Sequence, residues 1–118
     1  MKLFEIKNSG IKGQDETGKT VAFTYFDLAK MCLNKSPREG FTVQEMKARL
    51  RVMDVMEKGK SSGFALLEDA DAEKLRQCVE GFLWGAMDKG VVEFVDYACA
   101  LQPHNEKEKI KKLETAGN

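Results

Sequence analysis

Gly13-Gln14-Asp15-Glu16-Thr17-Gly18-Lys19-Thr20 matches G-x-x-x-x-G-K-[ST], the phosphate-binding P-loop pattern, at every specified position. How it is read decides the fold. A phosphate-binding loop needs a buried strand ending just before the first glycine and a helix opening at the lysine, so that backbone N–H groups and the helix dipole converge on phosphate. Here Asn8-Ser9-Gly10-Ile11-Lys12 precedes the string and does not read as a buried strand, while Val21-Ala22-Phe23-Thr24-Tyr25 follows it and prefers β structure to helix. Asp15 and Glu16 would put two negative charges where phosphate must sit, and 118 residues lack room for the parallel sheet that normally supports such a loop. Val91-Val92-Glu93-Phe94-Val95-Asp96 has the letters of an apolar strand ending in a Mg²⁺-binding aspartate, but its spacing fits a helix better. The string therefore reads as hairpin-loop chemistry in which glycine takes a positive φ angle. Gly13, Gly18, Lys19 and Thr20 are cofactor-binding residues only under the alternative of a small nucleotide-binding protein.

Outward from that loop, Lys2 to Lys7 alternates loosely and Thr20 to Phe26 alternates better, with Val21, Phe23 and Tyr25 on one side. Asn8-Ser9-Gly10 and Gly13 to Gly18 are rich in turn residues, so the two runs read as an N-terminal β-hairpin with a long loop. A lone hairpin is marginally stable and needs helices packed on it.

Four helical patterns follow. Phe26, Ala29, Cys32 and Leu33 have helical spacing, broken by Asn34 to Gly40. Thr42 with Glu45 three residues later forms a capping box, Phe41 and Met46 occupy hydrophobic-staple positions, and Val43, Met46, Leu50, Met53 and Met56 mark the inward face of the second helix. Gly59 ends it as an αL cap. Phe64 to Leu67 reads as an extended segment leading into a third helix, whose N-terminus Asp69 and Asp71 suit and whose apolar stripe is Leu75, Cys78, Val79, Phe82 and Ala86. Gly81, Trp84 and Gly85 weaken its end. The fourth helix, from about Val91 to Leu101, turns Val91, Phe94, Val95, Ala98 and Leu101 inward until Pro103 stops it. The expectation is a mostly helical α+β domain over residues 1–103, a hairpin packed on about four short helices, followed by a polar tail, 104–118, expected to be frayed.

Composition narrows the function classes. Apolar residues at 42% and charged residues at 32% fit an ordinary globular domain and disfavour disordered or membrane classes. No window approaches the roughly 18 consecutive apolar residues a membrane span needs, and the first residues lack the apolar run of a signal peptide, so a cytoplasmic location is expected. Cys32, Cys78 and Cys99 are an odd set inside apolar stretches and read as reduced, buried thiols. With the single His104 they lack the spacing of a metal site, and no metal, cofactor or catalytic residue is assigned. The charge is uneven: residues 1 to 60 hold 12 basic against 8 acidic side chains, residues 61 to 101 hold 3 against 8. A basic side and an acidic side would favour head-to-tail self-association or a charged partner. Zero net charge argues against a generic nucleic-acid binder. Lys47, Arg49 and Arg51 could touch phosphate or a protein partner, although Arg49 and Arg51 lie about 200° apart on a helix. Trp84, between Gly81 and Gly85, is a candidate binding anchor.

Three segments, Glu45 to Asp54, Leu67 to Asp71 and Val91 to Asp96, together resemble small proteins of phage and prophage gene clusters, over about residues 25 to 100. The resemblance implies a small assembly or accessory protein and carries over no catalytic residue. The reading is a non-enzymatic protein-binding or assembly module with Trp84, Lys47, Arg49 and Arg51 as candidate contact residues. A nucleotide-binding protein and a small DNA-binding regulator stand as alternatives.

Overall fold

The computed structural model describes residues 1–85 and 87–103. It is an α+β, mostly helical fold in the order β1 (Lys2–Glu5), β2 (Asn8–Gln14), β3 (Thr20–Thr24), α1 (Tyr25–Asn34), α2 (Val43–Gly59), a short 3₁₀ turn (Lys60–Ser62), β4 (Phe64–Leu67), α3 (Asp69–Glu80) and α4 (Lys89–Cys99). The tail at 104–118, with His104, and the inward position expected for Ala86 lie outside the described residues.

The N-terminal hairpin is present, but with other strands than the alternation suggests. Thr20–Thr24 pairs antiparallel with Asn8–Gln14, whereas Lys2–Glu5 pairs antiparallel with Phe64–Leu67. The turn-forming residues Asn8, Ser9 and Gly10 build an irregularity inside a strand instead of ending it. Asn8 Oδ1 accepts from the Gly10 N–H at 2.8 Å, Ser9 Oγ accepts from Ile11 N–H at 3.1 Å and donates to the Phe23 carbonyl at 2.7 Å, and the ladder register shifts between Asn8 and Lys12. Local side-chain hydrogen bonds here make a bulge, and the ladder resumes beyond it.

Thr24 ends β3 and starts α1 in one step. Its hydroxyl accepts from the Asp27 N–H while the Asp27 carboxylate accepts from the Thr24 N–H, a complete capping box. Thr42 caps α2 through the Glu45 N–H at 3.1 Å, but the expected reciprocal bond is replaced: the Glu45 side chain accepts from Arg49 and Lys74. The expected staple gives way likewise, since the Arg49 guanidinium lies 4.9 Å from the Phe41 ring centroid and Met46 is exposed.

The face of α2 agrees with its expected position only at Met53, half-buried against the core, and at Met56, fully buried. Val52 and Met56 are buried, together with half-buried Glu45, Ala48, Arg49 and Val55, while Val43, Met46 and Leu50 face outward. Both sets repeat at three- and four-residue steps; what selects the inner one is the hydrogen bonding of Arg49, described below. At the N-terminus of α3, Glu68 is the cap residue without a side-chain cap bond, and Asp71 is buried against Arg51 rather than capping amides. The α3 helix ends at Glu80, so Phe82 packs from the following loop. In α4, Phe94 and Ala98 are buried as expected, and Leu101 is buried just past the helix end.

One core joins all layers: Phe4, Phe26, Leu28, Leu33, Val52, Met56, Leu67, Leu75, Val79 and Phe94 are nearly or fully inaccessible. Gly59 is not the left-handed cap expected; its φ of −84° is helical, and the left-handed residue is Gly63 at +81°. Gly59 is required for a different reason. A Cβ there would overlap the Phe64 carbonyl as the chain turns back into β4. Helix propensity alone would make Gly59→Ala stabilising by up to about 1 kcal/mol, but the overlap involves backbone that cannot rotate away. We expect urea denaturation to show a loss of about 1–3 kcal/mol instead, typical of overpacking; a gain would show that α2 and β4 are looser than described.

Candidate protein interface

Between α3 and α4 the chain reads Gly81-Phe82-Leu83-Trp84-Gly85-Ala86-Met87-Asp88. Two glycines and aromatics of poor helix propensity stop α3, and the Gly81 N–H closes its last turn on the Gln77 carbonyl. Asp88 then caps α4, its carboxylate accepting from the Gly90 N–H. Gly90 itself sits so close to Ile11 and the Ser9 carbonyl that a side chain there would collide, which fixes the start of α4 against β2.

The middle of the loop is fixed from below. Trp84 is half-buried, edge-on to Phe82 at 4.6 Å and to the buried Phe94 at 6.1 Å between ring centroids. Trp84 is thus first a packing residue that holds the loop on the core. Above it Leu83 is 90% exposed, Met87 is fully exposed and Val92, on the first turn and a half of α4, is largely exposed. Four carboxylates, Glu80, Asp88, Glu93 and Asp96, and one ammonium, Lys89, are distributed along the same stretch. The result is an exposed apolar tip on a packed support, in a segment rich in carboxylates of which Glu80 is paired with Arg76. Leu83 and Met87 escape sequence reasoning because they belong to no periodic face; the available signal was the apolar content of a segment otherwise marked as a helix break.

The three basic candidates on α2 are not brought together. Lys47 is exposed. Arg49 is only 12% exposed, and its guanidinium donates to Glu45 at 2.9 Å and to the carbonyls of Leu33 and Lys35 at 3.1 and 2.8 Å, closing the C-terminus of α1. Arg51 reaches to the other flank, 2.7 Å from Glu68 and 3.2 Å from the buried carboxylate of Asp71. Together with the 3.0 Å pair of Lys74 and Glu45, these contacts spend part of the charge asymmetry inside the molecule, across the seam between α2 and α3. Lys74 and then Arg49 hold the Glu45 carboxyl below its ordinary range, so its contribution to stability is present at neutral pH and is lost as pH falls through that lowered value.

The string at residues 13–20 spans the last two residues of β2, the β2–β3 turn and the first residue of β3. Asp15 Oδ1 accepts from the N–H groups of Thr17 and Lys19 at 2.9 and 3.0 Å and from the Thr17 hydroxyl at 2.6 Å, and these bonds hold its carboxyl below the usual range. The loop's own carboxylate thus occupies donors that a phosphate would need. A strand, not a helix, follows Lys19, and Gly18 takes a φ of +83° in the turn. Titration with a magnesium–nucleotide is expected to leave the melting temperature of wild type and Lys19→Ala alike unchanged; a Lys19-dependent rise would contradict the geometry.

Cys32 and Cys78 line a cavity of about 260 Å³ together with Pro37, Arg49, Phe82 and Leu83. Burial pushes the Cys32 thiol up to about 12 and raises Cys78 and Cys99 as well. Among the described residues no group of three or more His, Cys, Asp or Glu side chains is placed to hold a metal ion, and no helix is long and apolar enough to cross a membrane. The thiols are therefore expected to react in order of access. At about pH 8 an alkylating reagent should modify the half-buried Cys99 first and Cys32 last, with all three equal only after denaturation; early modification of Cys32, read by peptide mapping, would show that the α1–α3 contact opens.

No protein-family model matches the chain, and neither curated proteins nor solved structures show a match to it.

Proposed function

We propose that this chain is a non-enzymatic protein-binding or assembly module whose contact surface is the loop between α3 and α4. The observation that carries the reading is the exposed pair Leu83 and Met87 on a loop pinned by Phe82, Trp84 and Phe94. Single exposed apolar side chains are common and need no explanation. Here they crown a segment already fixed in place, so a partner would cover them with little loss of conformational freedom, which is the condition for useful affinity from a small contact. The arrangement matches the general anatomy of an interface, apolar at the centre and charged at the rim. The resemblance of residues 25 to 100 to small phage and prophage proteins supports the same class of role, accessory or structural.

Leu83→Asp tests this directly, because a side chain this exposed is replaceable without unfolding the domain. Affinity capture with the wild-type chain is expected to retain a specific protein that the variant retains at least about tenfold less, a loss of roughly 1.4 kcal/mol. The single tryptophan, Trp84, should report the same contact as a fluorescence change in wild type. Equal capture by both chains would sink the assignment of the loop.

A further inference from the structure

The β2–β3 hairpin has an open edge, since β2 is the one sheet neighbour of β3 among the described residues. Which backbone groups face outward follows from the ladder. The Asp15 N–H donates to the Lys19 carbonyl and the Ser9 hydroxyl donates to the Phe23 carbonyl, so Lys19, Val21 and Phe23 turn their backbone groups toward β2. Thr20, Ala22 and Thr24 turn theirs outward. Thr24 is already used: its N–H donates to the Asp27 carboxylate at 2.8 Å, and as the cap residue of α1 its carbonyl accepts the first helical bond. What stays open is the N–H and the C=O of Thr20 and of Ala22, both exposed residues.

This edge lacks the usual protection. Thr20-Val21-Ala22-Phe23-Thr24 contains no charge and no proline, the residues that keep open strands from pairing. Beside it runs a groove of about 540 Å³ walled by Val21 and Phe23 on the strand and by Asp27, Lys30 and Met31 on α1. One carboxylate and one ammonium balance there, so the groove suits an uncharged strand.

The pattern of open groups is complementary to itself. In an antiparallel pairing about a two-fold axis at Val21, Thr20 of each copy exchanges both bonds with Ala22 of the other, and no open group on either residue is left over. Val21 then meets its own counterpart at the non-hydrogen-bonded position, where side chains approach most closely and β-branched residues pair well. A foreign peptide would add one strand to the ribbon. A second copy adds two, and turns two marginal two-stranded ribbons into one four-stranded sheet.

We propose that two copies of this chain associate through β3, pairing Thr20 with Ala22 across a two-fold axis at Val21. The contact closes on itself, so assembly stops at two chains. It is separate from the α3–α4 loop.

Light scattering on the purified full chain should show a mass that rises to that of two chains by about 1 mM, goes no further and is not reduced by high salt. Ala22→Pro removes an outward N–H that takes no part in the β2–β3 ladder, so the variant should be folded by circular dichroism and monomeric. Val21→Cys reports the register: mild oxidation should join two chains through position 21, and Ala22→Cys, which faces Thr20, should join them at least about tenfold more slowly. Leu83→Asp should dimerise as the wild type does. A wild type that stays monomeric, growth beyond two chains, pairing by Ala22→Pro, faster cross-linking at position 22 or loss of the dimer in Leu83→Asp overturns the proposal. Where the pure protein is monomeric yet captures another protein through Leu83, the two-fold pairing falls and the loop reading stands.

Discussion

The antiparallel pairing of Lys2–Glu5 with Phe64–Leu67 is the constraint on which the rest of the molecule depends. It joins the first residues to the middle of the chain, a closure whose entropic cost grows only slowly with loop length once the ends are held. Phe4, fully buried on that strand, enters the core. The other edge of β1 is closed by the Leu3 N–H on the Gln102 carbonyl and by a bridge from Lys2 to Pro103, and the Tyr97 hydroxyl accepts from the Glu5 N–H at 2.9 Å. Both termini of the described domain are thereby tied to one short strand. Tyr97 also meets Tyr25 and Phe4, and Lys7 lies 5.2 Å from both tyrosine ring centroids, so the same knot orients α1 against α4.

The α4 helix begins where Gly90 touches β2, and α3 ends where Gly81 stops it. The Phe82–Trp84–Phe94 ring contacts then pack the first half of the α3–α4 connection against the core. Leu83, between Phe82 and Trp84, is left exposed because the two aromatic side chains take the inward positions.

Much of this was legible locally and little of it non-locally. The four helices, the extended Phe64–Leu67 segment and the Thr42 cap answer to spacing and to residue chemistry within a few positions. Strand partnership does not: Lys2–Glu5 carries no signal that its partner lies some sixty residues on, and Asn8-Ser9-Gly10 has the composition of a turn whether it ends a strand or bulges within one. The face of α2 was ambiguous for a comparable reason. Two stripes of the same period compete, and the choice falls to Arg49, whose guanidinium finds four partners, a carboxylate, two carbonyls and a ring, in a place that composition would reserve for an aliphatic side chain. At the candidate interface Trp84 was legible as an aromatic among glycines, whereas Leu83 and Met87 were hidden because periodicity has nothing to say about a loop.

The polar seam between α2 and α3 explains why apolar side chains are left over. A helix of this length has a limited inward sector, and Glu45, Arg49 and their partners Lys74, Leu33 and Lys35 fill part of it with hydrogen bonds rather than with aliphatic contacts. Val43, Met46 and Leu50 are consequently displaced to the outside. A core made only of aliphatic contacts would have drawn them in and left Arg49 in water. Breaking one partner of a shielded, hydrogen-bonded charge is costly, so the seam fixes one rotation of α2 and prevents the helix from rolling to hide its apolar stripe. The exposed face is thus a structural consequence of the half-buried ion pairs: the interactions that stabilise the helix packing are the same ones that keep the stripe in solvent.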